Sequence, residues 1–295
     1  MSRGGDQSAF RAIAVLGPGL LGGSIAMAVR EYMPGCELRL WARREEPLAL
    51  ARRLGITQHT CRNICEAVRS ASLIILATPI GSFEQLVQDM LPAISEGALV
   101  TDVGSVKEAV HAGAGHILTR AGHAFIGSHP MAGAEKQGLE HARANLIQGA
   151  TVALTNPHGV PAEQLRRLAD FWQTLGGRTC VLSPAEHDSA VACISHVPHI
   201  LAALCSRQAT TAGEIERQLV STGFRDTTRV SSGAAAMWAD ILSSNAPAIR
   251  KALRSCISDL QALDTHLAHQ AKPQLTAWLE EAKQARENVL NLHSK

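Results

Sequence analysis

Gly17, Gly19 and Gly22 stand in a G-x-G-x-x-G pattern, with Leu20 and Leu21 inside it. In such a pattern the first glycine permits a tight turn, the second lets the backbone approach a pyrophosphate, and the third lets a helix pack closely on a strand. The N–H groups of that helix's first turn then face the phosphates. Farther on, an acidic residue after residues 37–41 would bond the ribose hydroxyls of NAD, but the sequence reads Ala42, Arg43, Arg44. Guanidinium groups pair bidentately with a 2′-phosphate, so NADP is favoured over NAD. The competing reading makes Arg43 and Arg44 a solvated turn, with Glu45 or Glu46 reaching the ribose. His129 follows the strand-like run 124–126. A neutral imidazole, of unperturbed pKa about 6.5, can accept a proton there, or can simply bond backbone in a His-Pro turn. Ser105 follows another strand-like run, where a serine is either a hydroxyl partner or a helix cap. His196 and His199 form H-x-x-H with no third ligand in view, so no metal is expected. Arg225 and Arg229 lie four apart and flank Asp226, a carboxylate either could pair with at the surface.

The elements that must hold these residues are those of an α/β chain. Residues 12–16 read as a buried strand, 17–22 as the glycine turn and 23–32 as a helix, the setting in which the glycine pattern binds a dinucleotide. Strand-like runs recur at 73–77, 98–101, 124–126, 151–154 and 179–182, with helical stretches at 47–54, 82–91 and 161–175 between them. This alternation predicts a mainly parallel, doubly wound Rossmann-type sheet over residues 1–184. Ligands in such sheets sit beyond the carboxyl ends of the strands, which directs attention to Thr78, Pro79, Asp102, Ser105 and His129. From residue 185 to 295 the periodicity turns helical, and its apolar stripes exceed what a small domain buries alone, so a homodimer through an all-helical second domain is expected.

Composition narrows the ligand. The net charge is +2, and the aromatics number only four Trp, five Phe and one Tyr. A nucleic-acid binder normally carries a basic surface and aromatic stacking platforms. Seven cysteines, odd in number and scattered without a C-x-x-C pair, fit reduced thiols in a cytoplasmic protein rather than a disulfide framework. Cys61 and Cys65 would share a face if helical. The uncharged run 12–29 imitates a membrane span, but its glycines split it into strand and helix, so no membrane is expected.

With ATPIG, TDVGSVK, SHPMAGAEKQG, SHVPH and GFRDTTRVSSGAAAMW following the glycine turn in order, the chain resembles the prephenate/arogenate dehydrogenase (TyrA) family along nearly its whole length. The resemblance implies an NAD(P)-dependent oxidative decarboxylation of a small cyclohexadiene, prephenate or arogenate, in tyrosine biosynthesis. It implies that His129 receives the substrate hydroxyl proton with Ser105 beside it. It further implies that Arg229 binds the ring carboxylate, that His199, Glu135 and Asp226 lie at the pocket, and that Trp238 closes it. Choosing Arg229 over Arg225 rests on the motif alone. Two other classes compete. A β-hydroxyacid dehydrogenase would need a helical lysine, yet none occurs between Lys136 and Lys251. A non-catalytic NADP-binding sensor would need neither His129 nor Arg229.

Overall fold

The computed structural model describes residues 10–133, 136–211 and 213–291. Six strands, β1 (Ala12–Leu16), β2 (Glu37–Trp41), β3 (Thr60–Cys61), β4 (Leu73–Leu76), β5 (Leu99–Asp102) and β6 (Ala124–Phe125), form one all-parallel sheet in the order β3-β2-β1-β4-β5-β6. Strands β1, β4 and β5 are buried at every position. That is the behaviour of strands covered on both faces, and it explains their unbroken apolar sequences. Alternation places Ile13 and Val15 in a core with Phe171 and Trp172, and Ala14 and Leu16 in a second core with Phe83 and Val87. The order reverses between β1 and β4, the switch point where a doubly wound sheet opens a crevice for ligands.

Past β6 the chain departs from the expected pattern. The runs near 151 and 179 do not extend the parallel sheet. They form β8 (Thr151–Thr155) and β9 (Arg178–Val181), which pair with an additional strand, β7 (Gly127–Pro130), in a separate sheet ordered β7-β8-β9, with β7 antiparallel to β8. The cause is local. Ile126 N–H makes a bond to Val100 O, but Ser128 N–H bonds the Asp102 side chain at 3.1 Å instead of continuing the ladder. The Ser128 hydroxyl is held at 2.7 Å from that of Thr101 and accepts the indole N–H of Trp172 at 3.1 Å. His129 therefore lies within a strand, opposite Ala153, rather than in a loop after one. Cys61 lies in β3 and Cys65 in the helix Ile64–Val68, so they share no helix face.

By its contacts the chain divides into two units, Met1–Ala246 and Pro247–Lys295. In the first, the helices Pro184–Val191, Val197–Gln208 and Ala235–Ser244 follow the two sheets, with Ile241 buried in the same core as Phe83 and Val106. Among the described residues one helical run, Pro184–Gln208, is long and apolar enough by composition to cross a membrane. It nevertheless carries His187, Asp188 and His196, which are buried and bonded within the protein. In the second unit, the helices Ala246–Ala268 and Lys272–Asn291 leave Ile257, Leu260, Leu267, Leu279 and Val289 exposed.

Candidate active site

The glycine turn follows β1 at the switch point. Gly17 adopts φ +105°, and a Cβ there would lie 2.8 Å from Ala77 O. At Gly22 a Cβ would lie 2.2 Å from Gly17 O, so α1 (Leu20–Tyr32) can approach the turn only with glycine at that position. Gly19 differs: it is the N-cap of α1, no side chain caps the helix, and a Cβ would meet nothing within 4 Å. The helix start is therefore uncapped by any side chain and has open space beside Gly19, with Leu20 and Leu21 half-buried next to it, features a pyrophosphate site requires. The donor set and the gap fit a dinucleotide. Thr78, whose hydroxyl lies 2.8 Å from that of Ser82, packs its methyl against Gly17, and Pro79 is exposed next to it. Beyond β2, Ala42 is buried while Arg43 and Arg44 are exposed, and Arg62 donates to Arg43 O at 3.3 Å. Glu45 is held by an ion pair to Arg52.

Asp102 is placed differently from the expectation. Fully buried, it pairs with the Lys107 ammonium and accepts Gly104 N–H at 2.8 Å and Ser128 N–H at 3.1 Å. Lys107 also donates to Ser128 O at 2.9 Å. Burial pushes Asp102 up and Lys107 down, while each opposes the other's shift, and the two peptide donors favour the ion pair. Asp102 shapes the loop after β5 and the start of β7.

A thread of buried polar groups runs from β7 into the helices. Nδ1 of His129 is 2.8 Å from Nε2 of His187, and Nδ1 of His187 is 2.7 Å from Asp188 Oδ1. Asp188 also accepts Lys107 N–H on Oδ1 at 2.7 Å and Glu108 N–H on Oδ2 at 2.9 Å. Asn245 donates to Asp188 O at 2.9 Å and lies 3.2 Å from His196 Nδ1. Burial, then the proximity of His187, Lys107 and His196, holds His129 well below the usual histidine range, so its imidazole is neutral. Burial likewise pushes His196 down to about 4. Ser105 is half-buried, and the side chain that meets Nδ1 of His129 is His187.

At the far end His199 is buried, its Nδ1 without a partner, and its ring stacks on Trp238 with centroids 3.5 Å apart and planes 10° apart. His196 meets the same indole edge-on at 6.1 Å. Gly233 makes room for it, since a Cβ there would lie 2.4 Å from Trp238 Nε1. Arg229 begins the turn Arg229–Ser232, and Ser231 ties that turn to the His199 helix through a 2.9 Å hydroxyl contact with Ser206. Arg225 and Asp226 are exposed on the preceding helix, Thr222–Thr228. Glu135 lies outside the described residues.

Residues 25–181 match the model of the prephenate dehydrogenase nucleotide-binding domain, and residues 183–281 that of the prephenate dehydrogenase dimerization domain. The chain belongs to the prephenate dehydrogenase family. It is 34% identical to the cyclohexadienyl dehydrogenase of Zymomonas mobilis over 281 residues, covering 94% of this chain and 95% of that one. Among solved structures it is similar to prephenate dehydrogenase from A. aeolicus in complex with hydroxyphenyl propionate and NAD+, with a TM-score of 0.88, 27% identity, and 95% and 98% of the two chains covered. It is also similar to Synechocystis arogenate dehydrogenase, with a TM-score of 0.80, 31% identity, and 94% and 99% covered.

Four buried residues of the polar thread were not singled out from the sequence: Lys107, His187, Asp188 and Asn245. For His187 and Asp188 a local signal existed, because an adjacent His-Asp pair follows a capping box of Ser183 and Glu186 at a helix start. Nothing local marks Asn245.

Proposed function

We propose that the chain catalyses the NAD(P)-dependent oxidative decarboxylation of prephenate, arogenate or both, yielding 4-hydroxyphenylpyruvate or tyrosine. The observation that supports this most is the neutral imidazole of His129, fixed in β7 through His187, in the domain whose glycine turn fits a dinucleotide. As the hydroxyl-bearing carbon gives up hydride, Nε2 of His129 takes the hydroxyl proton. A dinucleotide held by the glycine turn would supply the hydride acceptor. The bond between the ring and its carboxyl group then breaks, carbon dioxide leaves, the electron pair completes the aromatic ring as a phenolate, and the proton held at Nε2 of His129 returns to that oxygen.

Arg229 anchors the ring carboxylate while that bond weakens, a task suited to a planar, permanently charged fork. His199 and Trp238 wall the pocket, Ser105 contacts the histidine or the hydroxyl, Asp226 stands at the pocket mouth, and Glu135 is assigned to substrate binding by the family motif. Gly17, Gly19, Leu20, Leu21, Gly22, Thr78 and Pro79 hold the dinucleotide. NADP is preferred over NAD: Arg43 and Arg44 are exposed just after β2, and of the two carboxylates that could instead reach the ribose, Glu45 is engaged by Arg52 and Glu46 is exposed. Residues 1–184 serve the nucleotide and 185–295 serve substrate and dimerisation, through exposed apolar side chains such as Leu260 and Leu279. The enzyme works in the cytoplasm as a homodimer.

A grid of purified protein with prephenate or arogenate and NAD or NADP, followed by the absorbance of reduced nicotinamide, tests the reading. Turnover with at least one substrate, fastest with NADP, is expected. No reduction in any of the four combinations contradicts it.

A further inference from the structure

We infer that Asp188 is a positioning residue that dictates which nitrogen of His129 is available to take a proton. The inference rests on the proposed role of His129 as the proton acceptor, but its structural content stands apart from activity.

Bond polarity carries the argument. Peptide N–H groups can only donate, so the bonds from Lys107 N and Glu108 N make both oxygens of Asp188 acceptors. Burial alone would raise this carboxyl, but the bonds from His187 and from the two peptide groups more than offset it, and Asp188 stays a carboxylate. Its Oδ1 must therefore receive a proton from Nδ1 of His187, 2.7 Å away. With a single proton on His187, that proton sits on Nδ1 and Nε2 presents a lone pair. In that state the lone pair faces Nδ1 of His129 at 2.8 Å, and Nδ1 of His129 carries the proton. Nε2 of His129 is left as the acceptor, with no bond from any described residue. A single carboxylate thus sets two tautomers in sequence, the logic by which an aspartate orients a catalytic imidazole through its Nδ1–H.

The carboxylate is itself well fixed. Asn245 holds the Asp188 main chain at 2.9 Å, and residue 188 is only 1% exposed. When Nε2 of His129 is protonated, the imidazolium faces three unfavourable neighbours, His187, Lys107 and His196. Asp188, reached through His187, is the counter-charge along the bonded path.

Asp188→Asn tests this. An amide that presents oxygen to Lys107 N and His187 sets its NH2 against Glu108 N. The flipped amide accepts from Glu108 N, sets its NH2 against Lys107 N and donates to His187 Nδ1, which reverses both tautomers. With 15N-histidine labelling, NMR of the wild type is expected to show the proton on Nδ1 of both His187 and His129, and the variant to show His129 protonated on Nε2. In steady state the variant should lose roughly 10²- to 10⁴-fold in kcat, with KM for substrate and dinucleotide changed less than about threefold, a split that a loss of folding would not produce. A wild-type His129 carrying its proton on Nε2 overturns the inference even if the variant fails to fold. A variant whose His129 keeps its proton on Nδ1 and still loses roughly 10²-fold or more in kcat overturns it, because the loss would then not come from the tautomer. Reversed tautomers with undiminished kcat uphold the positioning role and contradict instead the assignment of His129 as proton acceptor.

Discussion

The nucleotide turn and the histidine thread are built by opposite means. At the turn, function comes from side chains that are missing: Gly17 and Gly22 allow backbone to meet backbone, and Gly19 leaves a gap in front of uncapped helical N–H groups. Along the thread it comes from side chains filled in and bonded, where Lys107, Asp102, Asp188, His187 and Asn245 are all buried and each has a partner. The first design tolerates no added atom where backbones touch. The second tolerates no subtracted one, because each buried polar group satisfies another.

This contrast can be broken most forcefully at Lys107. Lys107→Met leaves Asp102 a buried carboxylate without its cation, and should cost about 3–5 kcal/mol by chemical denaturation. Unchanged stability would show that the pair is not buried in solution. Adding atoms at the turn should cost less: Gly22→Ala forces a Cβ against Gly17 O and is expected to destabilise by about 1–3 kcal/mol while dinucleotide affinity measured calorimetrically falls at least tenfold. Acidification should weaken the thread more gently. His129 and His196 are held neutral by burial, so their folded-state pKa values lie below the unfolded value. Below pH about 6.5 the unfolded chain takes up protons that the native one refuses, and stability should decline steadily toward pH 4, where His196 itself charges. A thermal midpoint flat between pH 7 and 5 would be inconsistent with neutral buried histidines. The smallest effect is reserved for Gly19→Ala, expected to change stability by less than about 1 kcal/mol yet weaken the dinucleotide, because its Cβ enters only the gap that the ligand fills. If Gly19→Ala and Gly22→Ala proved equally destabilising, the distinction between gap and contact would be lost.

The same contrast governs what could be read from the sequence. The glycine pattern is contiguous, six residues running from the end of a strand into the first turn of a helix, and its spacing announces both geometry and ligand. The parallel sheet was legible for a similar reason, since fully buried strands such as Leu73–Leu76 spell their environment in unbroken apolar runs. Strand β7 was not legible, because Gly127–Pro130 has no apolar alternation and is shaped by Asp102, Thr101 and Trp172 from other elements. The thread joins residues 58 and 81 positions apart, as in the pairs His129 with His187 and Lys107 with Asp188, and no local pattern encodes such pairing. Arg229 and Trp238 were found through family motifs rather than periodicity. Asp102 illustrates the hazard of position alone: a carboxylate at the end of a central strand looked like a ligand contact but turned out to hold a lysine and two peptide groups.

The central claim, that a neutral His129 takes the hydroxyl proton, is tested most directly by steady-state kinetics of His129→Asn with saturating substrate and dinucleotide. An asparagine at this position keeps a polar group in β7 but cannot act as a base. The account predicts a fall in kcat of roughly 10²- to 10⁴-fold with KM for the substrate changed less than about threefold. A rise in KM with kcat intact would show that His129 binds substrate without accepting its proton, and would contradict the account.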